Sequence, residues 1–289
     1  MVFDGFNWIT LTLLSALFGA FALIYKKKGL EHEHSLEYLG VFKVFEFLMI
    51  LPFAFIVPLN FPIRTYALMY ILSIFITFAL LLENKGFRRM EFTKYVPLFN
   101  IKTIITLIAS MIILEEYFTW QQIGGIGLIM FGLYKAESQH SIRDMFTHIK
   151  QSKGMLFSLS GIIILGIAAV FEKQLLLETH IISYLLIMYF FSVINTLFAL
   201  TIFYDGYKGI IHGIKNEGKT VLLASFFATV SNLLFLAAIS GAYLAIVEAL
   251  KKSSNIIAMV VGGRYFHEKD YLRRVAWTSL VIVGIFFII

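Results

Sequence analysis

The chain has 289 residues, of which 59% are hydrophobic and only 15% are charged. A soluble domain carries about a quarter charged residues, so the polar groups here are too few to cover a water-exposed surface. Its long continuous apolar runs disfavour a β-barrel, whose strands alternate apolar and polar side chains. The net charge of +6 is therefore interpreted as membrane topology and not as affinity for nucleic acid.

The apolar runs predict an all-α polytopic membrane protein with ten transmembrane helices. Several runs approach the ~20 residues that cross the hydrocarbon core of a bilayer. The predicted helices cover residues 6–25, 38–57, 65–83, 94–114, 119–135, 155–172, 181–203, 219–239, 242–263 and 272–289. Some connections are very short, which makes the helices that they join antiparallel neighbours.

The distribution of lysine and arginine predicts the orientation of the chain. These residues concentrate in the odd-numbered predicted loops, whereas the even-numbered loops contain only Arg64 and Lys173. Because cytoplasmic loops are enriched in lysine and arginine, we expect the rich side to face the cytoplasm. Both termini are then predicted to lie outside, with the protein in the plasma membrane.

The longest predicted loop, residues 137–153, is interpreted as a cytoplasmic linker between two halves. Within it, Ile142, Met145, Phe146 and Ile149 have helical spacing. This spacing predicts a short helix on the cytoplasmic membrane surface. An ordinary solvated linker is the open alternative.

The two halves, residues 1–136 and 154–289, resemble each other and predict two five-helix repeats. In each half a glycine lies sixteen residues after a glutamate, namely Gly132 after Glu116 and Gly284 after Glu268. An odd number of helices reverses the chain, so the second repeat is inverted relative to the first. Inverted repeats are common in secondary transporters, where the substrate site lies near the midplane between the repeats.

These landmarks resemble the end of an EamA domain, in which a glutamate and a threonine precede two glycines. The pattern is present at Glu116, Thr119, Gly125 and Gly132, and in part in the segment Ala249–Glu268 followed by Gly284. In the second copy, Tyr271 and Trp277 stand where the threonine and the first glycine are expected. EamA domains belong to the drug/metabolite transporter superfamily. The resemblance implies a ten-helix permease for small metabolites with a central cavity, and it names no substrate.

Two adjacent lysines, Lys251 and Lys252, lie near the middle of the ninth predicted helix. A lysine at that depth costs about 2.5–3.5 kcal/mol on insertion scales if it faces lipid. We therefore expect both lysines to face protein or water. Glu248, one turn earlier, lies between them around the helix, and Asn255 extends the same polar face.

Two interpretations of this polar face stay open. In the first, Glu248 neutralises one lysine and the cluster only fixes helix packing. In the second, the lysines line a cavity and bind an anionic group such as a carboxylate or a phosphate. The repeat places polar residues at equivalent positions of the fourth helix. The predicted substrate-binding residues are Lys251, Lys252, Glu248, Asn255, Lys102 and Asn100.

The second predicted helix contains Lys43 and Glu46, which are three residues apart and are expected to pair. Either the pair is structural, or Glu46 belongs to the transport pathway and couples it to protons. Glu172 and Lys173 are expected at a solvated or interfacial helix end, because the sixth predicted helix stops there.

The sequence gives little support to enzymatic chemistry. It contains no HExxH motif and no phosphate-binding glycine loop, so we expect no catalytic residue, no cofactor and no ATP-driven step. His32 and His34, with Glu31 and Glu33, are expected to form a solvated loop and not a metal site.

The predicted function is that of a secondary transporter that moves a small polar or anionic metabolite by alternating access. The alternatives are a non-transporting membrane subunit and a flippase for a lipid or lipid-linked molecule. An enzyme acting on lipid would need a cluster of His, Asp or Ser at one interface, which the sequence does not show. The expected partners are a small-molecule substrate and the lipid bilayer, without nucleic acid; a homodimer stays open.

Overall fold

The structure, a computed structural model, describes residues 7–90, 92–137 and 152–265, together with 277, 280, 283, 284 and 287. All regular elements in these residues are helical. They are α1 (Trp8–His32), α2 (Ser35–Ile50) with a 3₁₀ turn (Leu51–Phe55), α3 (Ile63–Phe87), α4 (Phe92–Ile113), α5 (Trp120–Glu137), α6 (Lys153–Glu178), α7 (Ile181–Phe203), α8 (Tyr207–Ile239), α9 (Leu244–Lys251) and α10 (Ser253–Tyr265).

Six of the described helices are long and apolar enough to cross a membrane: α1, α2 with its 3₁₀ turn, α3, α6, α7 and α8. Large apolar side chains cover the outside of the bundle, such as Phe55, Phe198 and Phe203, which are 92%, 67% and 75% exposed. Exposing these apolar side chains to water would be unfavourable, whereas in a bilayer they face acyl chains. The chain is therefore a multi-pass membrane protein.

Two helices are longer than predicted, because charged side chains near their ends find partners inside the bundle. The predicted first helix stops at residue 25, but α1 continues to His32. Lys26 Nζ contacts the Glu83 carboxylate, and Lys27 Nζ lies 2.8 Å from the Met90 carbonyl oxygen. The predicted sixth helix stops at residue 172, whereas α6 continues to Glu178.

The eighth helix also begins earlier than the predicted residue 219, at Tyr207. Its backbone is non-helical at Glu217, with φ −125° and ψ 17°, so the helix has a kink there. The turns before the kink form a separate outer segment, residues 207–216. The predicted surface helix at residues 142–149 and most of the predicted tenth helix, 272–289, lie outside the described residues.

Helices of the first half (α1–α5) and of the second half (α6–α10) pack in equivalent pairs. The first helix of each half packs along the third helix of the other, as α1 with α8 and α6 with α3. The two second helices, α2 and α7, pack together. The first helix of each half also contacts the fourth segment of the other, as α6 with α4 and α1 with α9 and α10.

Glycines allow α3 and α6 to approach closely. A Cβ atom at Gly161 would touch the carbonyl oxygen of Ala79 and lie 2.8 Å from the amide nitrogen of Glu83. Gly86 is equally close to the backbone of Gly154 and Ser158. In lipid no hydrophobic force drives helices together, so small residues that permit backbone contact stabilise such pairs.

We expect Gly161→Ala to lower the melting temperature of the detergent-solubilised protein, because the added methyl group overpacks the α3–α6 contact by about 1–3 kcal/mol. Gly124→Ala is the matched control, because a Cβ at this helical glycine would meet nothing within 4 Å. The control should be neutral or stabilising, since alanine has the higher helix propensity. Equal melting temperatures for the two variants would contradict the packing described here.

Candidate functional site

A cavity of about 300 Å³ lies between the two halves. This volume is at the lower end of the range for small-molecule pockets. Every described helix except α5 contributes to its wall, which is mostly apolar and aromatic. The charged side chains in the wall are Lys26, Lys43, Glu46, Glu83, Lys102, Glu172 and Lys251.

Two ion pairs in the wall are closed within the first half. Lys26 Nζ lies 2.8 and 2.9 Å from the two carboxylate oxygens of Glu83, which also accepts a hydrogen bond from the Tyr95 hydroxyl. Lys43 Nζ lies 2.7 Å from Glu46 Oε2, so the predicted pairing of these two residues is present. Each pair is neutral overall, so it adds no net charge to the cavity wall.

A third ion pair joins the two halves. Lys102 on α4 donates a hydrogen bond from Nζ to Glu248 Oε1 on α9. The Glu248 side chain is only 3% exposed, so the lysine compensates a carboxylate that water does not reach. In one of the two interpretations left open by the sequence, Glu248 neutralises a lysine of its own helix. Instead, its hydrogen-bonded partner comes from the equivalent helix of the other half.

The predicted ninth helix, 242–263, is broken at its lysine pair, because α9 ends at Lys251 and α10 begins at Ser253. Between them the hydrogen bonds change to the tighter three-residue spacing. The Lys252 amide donates to the Ala249 carbonyl over 3.1 Å, and the Asn255 amide donates to the Lys252 carbonyl over 2.9 Å. Lys252 keeps helical φ and ψ angles of −65° and −10°, so the irregularity is one tighter, 3₁₀-like turn.

The two lysines face different environments, because adjacent residues of a helix point about 100° apart. Lys252 is buried, with Nζ 3.4 Å from the Phe99 carbonyl oxygen and 4.1 Å from the centre of the Phe99 ring. It does not belong to the cavity wall. Lys251 does belong to the wall, and its Nζ lies 4.2 Å from the centre of the Phe235 ring.

Lys251 carries a charge that the protein leaves uncompensated at close range. Among the described residues its ammonium makes no hydrogen bond and no ion pair; its close contact is the Phe235 ring. A cation over an aromatic face gains about 0.5–2 kcal/mol, which is less than the cost of removing an ammonium from water. The cavity beside it must therefore supply water or an anion.

Glu172 is a second charge in the wall without an ion pair among the described residues. It accepts a hydrogen bond from the Tyr184 hydroxyl over 3.1 Å. The expectation of a solvated helix end was wrong, because α6 runs on past this position. Its neighbour Lys173 points elsewhere, with Nζ 2.6 Å from Glu116 Oε1 and 2.7 Å from the Ala242 carbonyl oxygen.

Two buried polar atoms of wall residues also have no protein partner, the Tyr38 hydroxyl and the Asn84 amide oxygen. Most buried polar groups in proteins are hydrogen-bonded.

The structure gathers most of the sequence-predicted residues at the cavity. Lys251, Asn255, Lys102, Lys43 and Glu46 line it. Glu248 and Lys252 lie behind the wall, and the side chain of Asn100 lies outside the described part of the chain.

Sequence reasoning missed Lys26, Glu83 and Glu172. Each stands near the end of an apolar run, where a solvated loop is the ordinary expectation. The available signal was that Lys26 and Glu83 stand at the C-terminal ends of the first and third apolar runs, which are predicted to lie on the same side of the membrane.

We expect Lys102→Met and Glu248→Leu each to lower the melting temperature, because each leaves one member of a buried ion pair without its partner. The double variant should lose less unfolding free energy than the two single variants together, with a coupling free energy of about 1–3 kcal/mol. Thermal unfolding of the four proteins in one detergent measures this cycle. Strictly additive losses would show that the two groups do not interact.

Comparison with known proteins agrees with this architecture. Residues 6–135 match the EamA-like transporter family. No curated protein matches the chain. A solved structure described only as "Crystal structure of protein" is 8% identical, with a TM-score of 0.73 over 97% of this chain and 95% of the other. At this identity the likeness shows a shared fold and nothing about activity.

The family match covers the segment in which Glu116, Thr119, Gly125 and Gly132 carried the resemblance, and it confirms that expectation. The second set of landmarks, Ala249–Glu268 and Gly284, lies outside the matched residues. The N-terminal part of this multi-pass membrane protein, residues 6–135, therefore matches the EamA-like transporter family.

Proposed function

We propose that the protein is a secondary transporter that carries a small polar metabolite with an anionic group through the central cavity. The observation that supports this most directly is the position of Lys251, an uncompensated ammonium in the wall of a cavity between two halves. An anionic group of the substrate would take the place of the missing counter-charge. Ionisable residues inside membrane proteins commonly mark such pathways.

The proposed architecture is ten transmembrane helices in two inverted repeats, residues 1–136 and 154–289. The exchanged packing of equivalent helices supports it. A contact that occurs in both halves supports it as well. Lys27 donates to the Met90 carbonyl, and Lys173 donates to the Ala242 carbonyl. Each of these carbonyls lies between the third and fourth helices of its own half. α9 and α10 together match α4 in length, and both are long enough to cross the bilayer.

Alternating access is proposed to occur by movement of one half against the other. The Lys102–Glu248 pair spans the two halves, so its rupture or exchange would accompany this movement. In the proposed cycle Lys251, which lies in the same cavity wall as Lys102, binds the carboxylate or phosphate of the substrate. The orientation with both termini outside remains part of the proposal, since it rests on the loop charges alone.

Two further residues have proposed roles in the cycle. Glu172 has no ion pair within the described part of the chain, so it can accept a cationic or donor group at the other end of the substrate. If Lys43 turned to a substrate anion, Glu46 would lose its counter-charge and take up a proton, which is the form of coupling proposed for this pair. The charged cavity favours a transporter over a non-transporting membrane subunit, for which a solid core is expected.

The test is ligand stabilisation of the purified protein followed by flux in proteoliposomes. The probes are monocarboxylates, dicarboxylates, phosphate esters, amino acids and neutral sugars. We expect stabilisation by at least one anionic class, and loss of both stabilisation and flux in Lys251→Met. Lys251→Arg should retain part of both, because it keeps the charge.

Lys208→Met is the matched control, since Lys208 is exposed outside the cavity, and it should behave as wild type. Lys252→Met should weaken folding more than binding, because Lys252 contacts only protein at close range. Stabilisation by neutral sugars alone, or unchanged flux in Lys251→Met, would contradict the proposed role of the ammonium.

A further inference from the structure

A cluster of two carboxylates and an imidazole lies away from the central cavity, where the α1–α2 corner meets the outer segment of α8. Its members are Glu33, Glu37 and His212. Glu33 is the C-cap residue that follows α1, and Glu37 is in the first turn of α2. His212 lies on the outer segment, before the kink at Glu217. The proposed transport cycle does not use these residues.

The distances in the cluster suit a metal ion. His212 Nδ1 lies 3.4 Å from Glu37 Oε1 and 3.9 Å from Glu33 Oε2. All three ligand atoms lie within 4.8 Å of one another. Ligands about 2.0–2.1 Å from a tetrahedral ion are about 3.3 Å apart, so small side-chain rotations would bring the three to a common ion.

The charges in the cluster are not balanced by the protein. Both glutamates are buried, at 2% and 5% exposed. In the described part of the chain no lysine or arginine pairs with either carboxylate, and the Glu33 carboxylate has no hydrogen bond. Two neighbouring buried carboxylates repel each other and lose hydration, a cost that a divalent cation removes.

The surroundings hold the ligands in place and leave a path to solvent. A Cβ atom at Gly209 would lie 3.3 Å from Glu37 Cγ, so the outer segment of α8 runs directly over that side chain. The Asn216 amide nitrogen lies 3.1 Å from His212 Nε2 and 3.4 Å from Nδ1, so this side chain packs against the imidazole ring. The His212 side chain is 61% exposed, so an ion has access and water can complete the coordination.

We propose that Glu33, Glu37 and His212 form a binding site for a divalent transition-metal ion of the Zn²⁺ or Mn²⁺ class. The imidazole favours such ions over Mg²⁺ and Ca²⁺, which prefer oxygen ligands alone. Because Glu33 and Glu37 belong to the first half and His212 to the second, the bound ion clamps the halves together at this end of the bundle.

Direct titration of the full-length protein in detergent, without a polyhistidine tag, tests the site with Zn²⁺ and Mn²⁺ as probes. We expect one Zn²⁺ per chain and a rise in melting temperature on binding. His212→Ala and Glu37→Gln should each weaken Zn²⁺ binding at least tenfold and abolish that rise. His180→Ala is the matched control, since His180 is also exposed but lies at the start of α7, and it should bind as wild type.

Melting temperatures measured without metal show whether each variant is folded before its affinity is compared. The proposal is overturned if wild type binds no Zn²⁺ or Mn²⁺, or if folded His212→Ala binds as tightly as wild type. The assay follows binding and not flux, so its result is independent of the proposed transport function.

Discussion

A charged side chain inside an apolar helical bundle must be compensated, and this constraint organises the interior of the protein. Removing an ammonium or a carboxylate from water costs several kcal/mol, which a counter-charge, a hydrogen bond or trapped water has to offset. Among the described residues, five lysines of the bundle have a glutamate within ion-pair distance: Lys26, Lys27, Lys43, Lys102 and Lys173. Lys251 has none among these residues, and its ammonium needs water or an anion from the cavity.

The same constraint explains the less regular parts of the fold. α1 and α6 continue beyond their apolar runs because Lys26 and Lys173 are bound within the bundle. The fourth segment of the second half has a tighter turn at Lys252, where one lysine lies against Phe99 and its neighbour lies in the cavity wall. Close glycine contacts, such as that of Gly161 on α6 with α3, supply the packing that lipid does not drive.

Sequence patterns predicted the membrane class, most helix positions and the polar face of the ninth segment, because these depend on local composition and periodicity. The partner of Glu248 could not be predicted in this way, since Lys102 lies 146 residues away. The same holds for Lys26 with Glu83, which are 57 residues apart. Glu172 was assigned to solvent because the apolar run stops there, whereas tertiary packing carries the helix further.

The cluster of Glu33, Glu37 and His212 illustrates the same limit at the surface. Around His32 and His34, the local sequence favours a solvated loop over a metal site. In the structure His34 caps α2 and stacks on Tyr204. The imidazole that approaches the glutamates is His212, brought there by the outer segment of α8. A ligand set that joins both halves cannot be read from local spacing.

The central claim is that Lys251 faces an aqueous cavity between the halves. The chain contains no cysteine, so single-cysteine variants report accessibility without background. In native membranes, Lys251→Cys should react with a small water-soluble thiol reagent, whereas Phe198→Cys, on the outer surface of α7, should not. Lys208→Cys, which is exposed outside the bundle, should react and so shows that the reagent works. An unreactive Lys251→Cys beside a reactive Lys208→Cys would contradict the account.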